Sequence, residues 1–398
     1  MSNEDQEQTF SPLQIGYIAD VVEPVNAATD AEKVLKIFEV NKREAVPIEQ
    51  DGEIEGILLR RTLEKTAGIS LDTGKDPLAF KNAWQDFWKN GLNTNIIRTK
   101  KVIDATTYID NILEEGLKQE SFEATWYVVQ HRQRCLGIVS FKKILKYTNS
   151  LHSQDLHRAS EIQKRLLQKS LVTDKRFNLY LFNKMANEVG GDFYRVYRPD
   201  KDHAVVGCFD VSGKNISGAL TTMALGTCFT SFELFQYMST PDKTTNLINA
   251  LIRQVCPPGI FVACALFYID FILKHIRIHN CGFSPILIFV PQPNNKVTYK
   301  VSNPTLPPLG IDDEYDYSDS LIIPITGGLR LCAYSDGFTD MLNIRGERYG
   351  EEQATKTIKR LHTAAPADIR RIIFSEIDNW IGTAALADDV TFLDMRFN

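Results

Sequence analysis

The chain has 398 residues, 43% of them hydrophobic and 24% charged, a composition typical of a soluble globular protein with about two or three domains. Its 45 Lys and Arg residues against 50 Asp and Glu residues give a net charge of −5, and no basic block is interleaved with aromatic residues, which argues against nucleic-acid partners. The most continuous apolar run, residues 259–269, is too short to span a bilayer, so we expect neither a transmembrane segment nor a membrane partner.

The amino terminus and the cysteines favour a cytoplasmic location. Residues 1–12 form a polar, acidic tail without the basic and apolar regions of a signal peptide. The seven cysteines lack CxxC spacing, which favours reduced thiols over a disulfide framework. We interpret Cys208, Cys264 and Cys332 as small core residues, with a redox or zinc role as the less favoured alternative.

The first predicted unit begins near residue 13. Thr29 can cap a helix over residues 30–38, and two strands at 44–48 and 54–59 are joined by the turn Asp51-Gly52. A second helix begins near Arg60.

The same order of elements recurs later in the chain. Thr106 or Thr107 precedes a helix over residues 109–117, strands follow at 124–129 and 135–140, and a closing helix begins at Phe141. An internal repeat of this kind predicts two similar modules that pack together.

This repeat resembles a tandem pair of CBS modules over residues 13–149. The stretches that carry the resemblance are Val46-Pro47-Ile48 with Gly56-Ile57-Leu58, and Tyr127-Val128-Val129 with Gly137-Ile138-Val139-Ser140. Nucleotide-binding members of that family follow the glycine triplet with Ser or Thr and, three residues on, Asp. This chain has Leu59 and Thr62 in the first copy, and Ser140 and Lys143 in the second. The resemblance implies an adenine nucleotide bound at Ser140, or alternatively a purely structural or dimerising pair.

Two helical segments lie outside the repeated elements. The segment between the copies, about residues 67–94, carries aromatic residues on helical spacing and predicts an inserted helix. Residues 150–171 predict a polar linker helix, which is too short to be stable alone, so we expect it to pair with its copy in a homodimer or to pack on the following domain. The aromatic residues are Trp84, Phe87 and Trp88, and the apolar stripe of the linker is Leu156, Ala159, Ile162 and Leu166.

Residues 172–398 alternate between apolar strands and helices. Two groups of strands enclosing a core and flanked by helices predict a layered α+β domain. The predicted strands lie at 178–182, 260–269 and 271–280, near residues 286, 297, 321 and 329, and at 390–397, and the predicted helices lie at 217–235, 243–255, 351–361 and 366–380.

Four acidic motifs follow one another in this domain. They are Gly190-Gly191-Asp192, Asp210-Val211-Ser212-Gly213, Ser335-Asp336-Gly337 and Ala387-Asp388-Asp389-Val390-Thr391. Asp210 and Asp336 each end an apolar strand and lead into a glycine turn. Carboxylates beside a core need a cation or hydrogen-bond donors, because burying them unpaired is strongly disfavoured.

The ligand types in these motifs favour Mn²⁺ or Mg²⁺. They supply oxygen and contain no His or Cys, which argues against zinc and copper. Any one motif is equally well explained as an ordinary turn. The four in order predict a site for two ions, which could lower the pKa of a shared water that faces a phosphoryl group.

The ordered set resembles the metal-dependent serine/threonine protein phosphatases of type 2C (PPM), in the bacterial branch typified by sporulation protein E. The resemblance covers about residues 155–398, and the supporting stretches are residues 188–194, 308–310 and 334–340. It implies an αββα β-sandwich in which Asp210 bridges both metals and acts with Asp336 in catalysis. The Val211 carbonyl and Asp192 would complete the shell of one metal, and Asp336 and Asp388 would hold the other. Asp389 would orient its neighbour through hydrogen bonds.

Three stretches depart from the pattern of that family. They are Arg195, where Asp is common; Ser212-Gly213-Lys214-Asn215, where Ser-Gly-His-Gly is common; and Cys281-Gly282-Phe283, where Ala-Gly-His is common. Arg195 and Lys214 are therefore either cationic phosphate contacts or solvated surface residues.

The sequence thus predicts a cytoplasmic phosphatase that acts on phosphoserine or phosphothreonine in a protein. The family resemblance implies an anti-sigma-factor antagonist or a similar signalling phosphoprotein as substrate, with regulation by the CBS pair through the linker helix. The alternatives are a catalytically silent partner-binding module and a nucleotide-sensing module.

Overall fold

The computed structural model describes residues 10–39, 43–67, 77–90, 101–118, 126–166, 171–213, 216–228, 240–292, 297–312 and 314–398. The chain folds as two compact units, residues 1–154 and 155–398. None of the helices in these ranges is both long enough and apolar enough to cross a lipid bilayer.

The first unit alternates short strands with helices. The helices are α1 (Ile15–Ile18), α2 (Ala31–Glu39), α3 (Arg60–Ala67), α4 (Pro77–Asn90), α5 (Ile109–Leu117) and α6 (Phe141–Leu166), and the strands are β1 (Asp20–Val21), β2 (Ala45–Gln50), β3 (Glu53–Leu59), β4 (Val102–Asp104), β5 (Trp126–His131) and β6 (Arg134–Ser140). Strands β2 and β3 form one sheet, and β1, β6, β5 and β4 form another in that order.

The internal repeat is visible in the strand pairing. Each copy contains an antiparallel hairpin, β2–β3 and β5–β6, and each hairpin has a register shift at the equivalent point, between Ile48 and Glu49 and between Val129 and Gln130. A parallel pairing also recurs, since Val25 bridges Ile48 in the first copy and β4 pairs with β5 in the second. The two copies therefore share a backbone plan as well as an order of elements.

Local signals predicted most of this unit, with one error in capping. Asp51 and Gly52 form the β2–β3 turn with φ of 52° and 84°, as the hairpin sequence predicts. The cap of α2 is Asp30, whose Oδ1 accepts the Glu32 N–H at 3.1 Å, and the prediction of Thr29 as the cap was wrong. Thr29 instead bonds Asn26 in the preceding turn, where its hydroxyl accepts the Asn26 N–H at 2.9 Å.

The inserted helix is α4, which packs on α2 and α3. Trp84 and Phe87 are buried, and Trp84 Nε1 donates to the Thr29 carbonyl at 3.0 Å. The aromatic spacing therefore anchors the helix in the core of the first unit.

The linker differs from its predicted form. The closing helix of the repeat and the linker helix are one continuous helix, α6, and β7 already begins at Leu171. The predicted apolar stripe does not face the protein, because Ile162 is 53% exposed and Ala159 is exposed, whereas the polar Ser160 and Gln163 are buried. Polar groups take the buried side because Gln163 bonds a buried backbone segment, described below.

The second unit contains two sheets with helices on both outer faces. Its strands are β7 (Leu171–Thr173), β8 (Phe177–Lys184), β9 (Phe193–Tyr197), β10 (His203–Val211), β11 (Val262–Asp270), β12 (His275–Cys281), β13 (Ile286–Pro291), β14 (Val297–Ser302), β15 (Leu321–Pro324), β16 (Arg330–Tyr334) and β17 (Val390–Phe397), and its helices are α7 (Ile216–Cys228), α8 (Pro241–Val255), α9 (Gly337–Asp340), α10 (Gly350–Arg360) and α11 (Ile369–Ile381). The five-stranded sheet has the order β15-β12-β11-β10-β9, and the six-stranded sheet has the order β14-β13-β16-β17-β8-β7.

Three apolar layers hold the sandwich together. The central layer lies between the sheets and includes Val206, Phe267 and Leu331. Helices α7 and α8 cover the outer face of the five-stranded sheet, and α10 and α11 cover the six-stranded sheet. The predicted layered α+β architecture of this domain is confirmed.

The strand predicted at residues 271–280 is shorter than expected. It begins at His275, and Ile272 and Leu273 lie in a turn, 65% and 69% exposed. The Asp270 Oδ1 accepts the N–H groups of both residues at 2.8 Å, which closes the turn. Apolar residue types alone could not distinguish this turn from a strand.

Candidate metal and active site

Asp210 lies at the centre of the candidate site. It is the penultimate residue of β10. Because β10 pairs with β11 along its whole length, backbone hydrogen bonds hold Asp210 in place on that side. Val211 follows and its N–H donates to the Gly191 carbonyl at 3.3 Å. This contact brings the first two acidic motifs together.

Asp192 lies beneath the surface beside this contact and is 2% exposed. The hydroxyl of Ser335, which is fully buried, donates to Asp192 Oδ2 at 2.8 Å. The same Ser335 oxygen accepts the Thr391 N–H at 2.8 Å. Ser335 therefore joins the carboxylate to the last strand, a role that the sequence did not predict although Ser335 lies within a quoted motif.

The Asp389 side chain holds the segment 186–191, here called the glycine loop, in place. Its Oδ1 accepts the Ala186 N–H at 2.7 Å, and its Oδ2 accepts the Gly191 N–H at 2.8 Å. A Cβ on Gly190 would lie 1.9 Å from Asp389 Oδ2, so only glycine fits there. Asp389 thus orients the segment that carries Asp192. As expected, it also contacts its neighbour, because the Asp389 N–H donates to Asp388 Oδ1 at 3.0 Å.

Asp336 and Asp388 face Asp210 across an open cleft of about 250 Å³. Asp336 begins α9 directly after β16, and Asp388 precedes β17, the strand paired with β16. A smaller cavity beside the cleft is lined by Asp192, Asp210, Asp388 and Asp389. Asp210 and Asp388 border both cavities, so the structure brings together all the acidic residues singled out in the sequence.

Burial and the proximity of other carboxylates raise the pKa values of Asp192, Asp210 and Asp336. Burial, together with the nearby Asp336 and Asp388, raises the pKa of Asp210 to about 7. Burial and then the Asp210 and Asp389 carboxylates raise the pKa of Asp192 well above its usual range. Burial, with Asp340 and Asp388, also raises the pKa of Asp336. Mutual repulsion of this kind favours a bound cation.

The oxygen ligands around the cleft are of the kind that hard divalent cations prefer, although the described residues do not form a complete coordination shell. Among the described residues, no three acidic, histidine or cysteine side chains converge as a preformed metal centre. The cleft nevertheless offers carboxylate and backbone oxygens without a nitrogen or sulfur ligand, which suits Mn²⁺ or Mg²⁺.

Helix α6 contacts the glycine loop directly through Gln163. Its Nε2 donates to the Gly190 carbonyl at 2.7 Å and to Thr222 Oγ1 at 2.8 Å, and its Oε1 accepts the Gly190 N–H at 3.2 Å. Gln163 is 3% exposed. Sequence reasoning assigned no role to this side chain. The one signal that could have indicated a contact face is its spacing of three residues from another polar residue, Ser160, which the structure also buries.

Of the two candidate cationic contacts, Arg195 lies among the described residues. Arg195 lies on β9 between Phe193 and Val196, and because strand side chains alternate, it shares the face of Phe193, which packs in the layer beneath the helices. Arg195 is not among the described residues that line the cleft, which does not favour the alternative of a phosphate contact. Lys214 lies outside the described residues.

Phe283 borders the cleft but fills the central core. It is 2% exposed and packs between the sheets. Asn280 shapes its turn, because Asn280 Oδ1 accepts the Phe283 N–H at 3.0 Å and Nδ2 donates to the Ser284 carbonyl at 3.2 Å. This position therefore provides packing where an imidazole would provide a polar group.

A second cleft, in the first unit, contains Ser140. It measures about 470 Å³ and is lined by Glu44, Leu59, Arg60, Arg61, Glu64, Trp126, Ser140 and Lys142. The Ser140 hydroxyl accepts the Lys143 N–H at 3.2 Å and so caps α6. The Lys143 side chain makes a separate contact, in which its Nζ donates to Asp20 Oδ1 at 2.9 Å.

Comparison with known proteins places the second unit in a family. The model of the family described as stage II sporulation protein E (SpoIIE) matches residues 200–398. The curated relative phosphoserine phosphatase RsbP of Bacillus subtilis (strain 168) is 26% identical over 190 residues, which are 47% of this chain. The match spans only 45% of the length of that relative.

A solved structure shows the same fold. The SiaA PP2C domain of Pseudomonas aeruginosa superposes with a TM-score of 0.53 and 17% identity, over 63% of this chain and 99% of that domain. The second unit therefore has a PP2C-like fold. Because the family model matches half of the sequence, including Asp210, Asp336 and Asp388, the chain belongs to the family of stage II sporulation protein E.

Proposed function

We propose that the chain is a Mn²⁺- or Mg²⁺-dependent protein phosphatase that removes phosphate from phosphoserine or phosphothreonine. The observation that carries the proposal is the position of Asp210 between two cavities, with Asp192 on one side and Asp336 on the other. The relationship to a protein named phosphoserine phosphatase supports it. Within this proposal the substrate is an anti-sigma-factor antagonist or a similar signalling phosphoprotein.

Each of these residues would have its own role in binding the two metal ions. Asp210 would contact both ions, the Val211 carbonyl and Asp192 would hold one, and Asp336 and Asp388 would hold the other. Divalent ions bound there would supply Lewis acidity and a water that ionises near neutral pH. The ions would also offset the negative charge of the phosphoryl group.

Turnover and metal uptake test the proposal together. The full chain is expected to hydrolyse p-nitrophenyl phosphate and a phosphoserine peptide with Mn²⁺ or Mg²⁺, and to stop when EDTA is added. Isothermal titration calorimetry with Mn²⁺ is expected to detect two sites. A folded protein with neither uptake nor turnover would instead be a catalytically silent partner-binding module.

We further propose that the first unit is a CBS pair that binds an adenine nucleotide and acts through α6 as a regulator. The basic and aromatic lining of its cleft, with Arg60, Arg61, Lys142 and Trp126, supports an anionic ligand with a ring system. The hydrogen bonds of Gln163 to Gly190 support α6 as the route, because they join the helix to the loop that positions Asp192. Pairing of α6 with a second copy in a homodimer remains part of this proposal.

Thermal unfolding tests the nucleotide site. ATP, ADP or AMP at about 100 times its Kd is expected to stabilise the protein by about 2.7 kcal/mol. Arg61→Ala is expected to weaken the effect, and Arg134→Ala, at the exposed tip of the β5–β6 hairpin, serves as the matched control. Gln163→Ala is expected to keep the thermal shift but to lose any effect of nucleotide on turnover. No shift with any of the three nucleotides would contradict nucleotide binding.

A further inference from the structure

One wall of the cleft is apolar and partly open to solvent. Besides the carboxylates, the cleft is lined by Phe261, Ala263, Gly282, Phe283 and Pro308. Phe283 is buried in the core, whereas Phe261 is 39% exposed. Phe261 is therefore the large apolar side chain that this wall presents to a bound molecule.

Two hydrogen bonds join Phe261 to Ser212, the residue that follows β10. The Phe261 N–H donates to Ser212 Oγ at 2.7 Å, and the Ser212 N–H donates to the Phe261 carbonyl at 2.9 Å. Ser212 follows Asp210 by two residues. These bonds fix Phe261 close to the end of β10, and Phe261 and Asp210 line the same cleft.

The apolar surface continues beyond the cleft. Leu309 pairs with Val262 through two backbone hydrogen bonds of 2.8 and 2.9 Å, which places the Pro308–Gly310 segment against the start of β11. Gly310 adopts a φ of +89°, and a Cβ there would lie 3.2 Å from the Ile260 carbonyl. A Cβ on Gly310 would also lie 3.6 Å from Phe261 Cα, and the residue after Gly310, Ile311, is 52% exposed.

We propose that Phe261, with Ile311, forms a docking surface for an apolar residue adjacent to the phosphoserine of a partner protein. The inference rests on the proposed phosphatase function and adds its substrate preference. An apolar flanking residue is favoured over a charged one, because Phe261, which lines the cleft, and Ile311 are exposed apolar side chains. Exposed apolar surface that continues into a catalytic cleft is typical of an interaction site.

Two synthetic peptides test the preference. Each carries one phosphoserine, flanked on both sides by leucine in one peptide and by asparagine in the other. With Mn²⁺, the wild-type chain is expected to show a kcat/KM about tenfold higher for the leucine peptide, the effect of partly burying one leucine side chain. Phe261→Ala is expected to bring the ratio of the two kcat/KM values close to one, and Phe261→Leu to retain most of it. The ratio does not depend on how much of a variant is folded.

A matched control lies at the other end of the same strand. Leu273 is 69% exposed in the turn after β11, and the nine residues of β11 separate it from Phe261 by about 30 Å at a rise of ~3.3 Å per residue. Leu273→Ala is expected to keep the wild-type ratio. A ratio near one in the wild type, or an unchanged ratio in Phe261→Ala, would overturn the docking surface while p-nitrophenyl phosphate hydrolysis leaves the phosphatase proposal intact. If wild-type protein hydrolyses neither peptide nor p-nitrophenyl phosphate, the phosphatase proposal is wrong and the docking proposal falls with it.

Discussion

Asp210→Asn is expected to lower Mn²⁺-dependent turnover by about 10²- to 10³-fold, the loss typical of removing one electrostatic group from an active site. Asparagine has nearly the same shape but no charge, and Asp210 borders both cavities of the candidate site. Steady-state kinetics with p-nitrophenyl phosphate and a phosphoserine peptide measures the effect.

The same variant has a second expected property that separates a chemical role from a folding role. Without metal, Asp210→Asn should be at least as stable as the wild type, because it removes one of the carboxylates that repel each other in the cleft. The stabilisation by Mn²⁺ in thermal unfolding should be reduced. Asp319→Asn, an exposed aspartate outside both cavities, is the control and should behave as wild type. Equal turnover in the wild type and Asp210→Asn would refute the assigned site.

Asp394→Ala is expected to destabilise the second unit by about 3–5 kcal/mol, the cost of leaving buried partner charges without compensation. Asp394 and Arg330 are each 1% exposed. Asp394 Oδ2 accepts the Arg330 Nε–H at 2.9 Å, and Asp394 Oδ1 accepts the Arg396 Nε–H at 2.8 Å. Hydrogen exchange of the β16 and β17 amides measures the opening free energy of this unit separately from the first.

Two further variants show whether the buried charge is the cause. Replacing both partners, Arg330→Met with Asp394→Leu, should cost less than Asp394→Ala, because no buried charge is then left over from the pair. Asp368→Ala breaks an exposed ion pair with Arg371 of 3.2 Å and should cost less than about 1 kcal/mol. If Asp394→Ala costs no more than Asp368→Ala, the buried network does not stabilise the fold.

Local sequence patterns predicted helices and turns correctly where short-range propensities determine them. The Asp51-Gly52 turn and the helices that flank each hairpin follow from short-range propensities, and the structure confirms them. The same reasoning failed at residues 271–274. There the Asp270 side chain closes a turn and Lys274 adopts a φ of 51°, so apolar residues that resemble a strand lie in solvent.

The linker helix shows a second limit of local reasoning. Hydrophobic periodicity predicted that the face of Ile162 would meet a second copy or pack on the following domain, but Gln163 is the side chain buried in this unit and Ile162 is 53% exposed. The reason is that the backbone of Gly190 needs hydrogen-bond partners where it packs beneath the surface, and Gln163 supplies both a donor and an acceptor. A periodic pattern does not contain this requirement.

The sequence by itself determined which chemical groups this protein has available. It identified Asp192, Asp210, Asp336 and Asp388 as carboxylates at the ends of apolar strands, and oxygen ligands of this kind favour Mn²⁺ or Mg²⁺. Only the tertiary structure decided which of these groups meet and what holds them. Ser335 follows β16 of the six-stranded sheet and reaches Asp192, which precedes β9 of the five-stranded sheet, across 143 residues of sequence, because the packing of the two sheets brings these strand ends together. Contacts of this range depend on how the sheets pair and pack, and no local pattern of residues encodes that pairing.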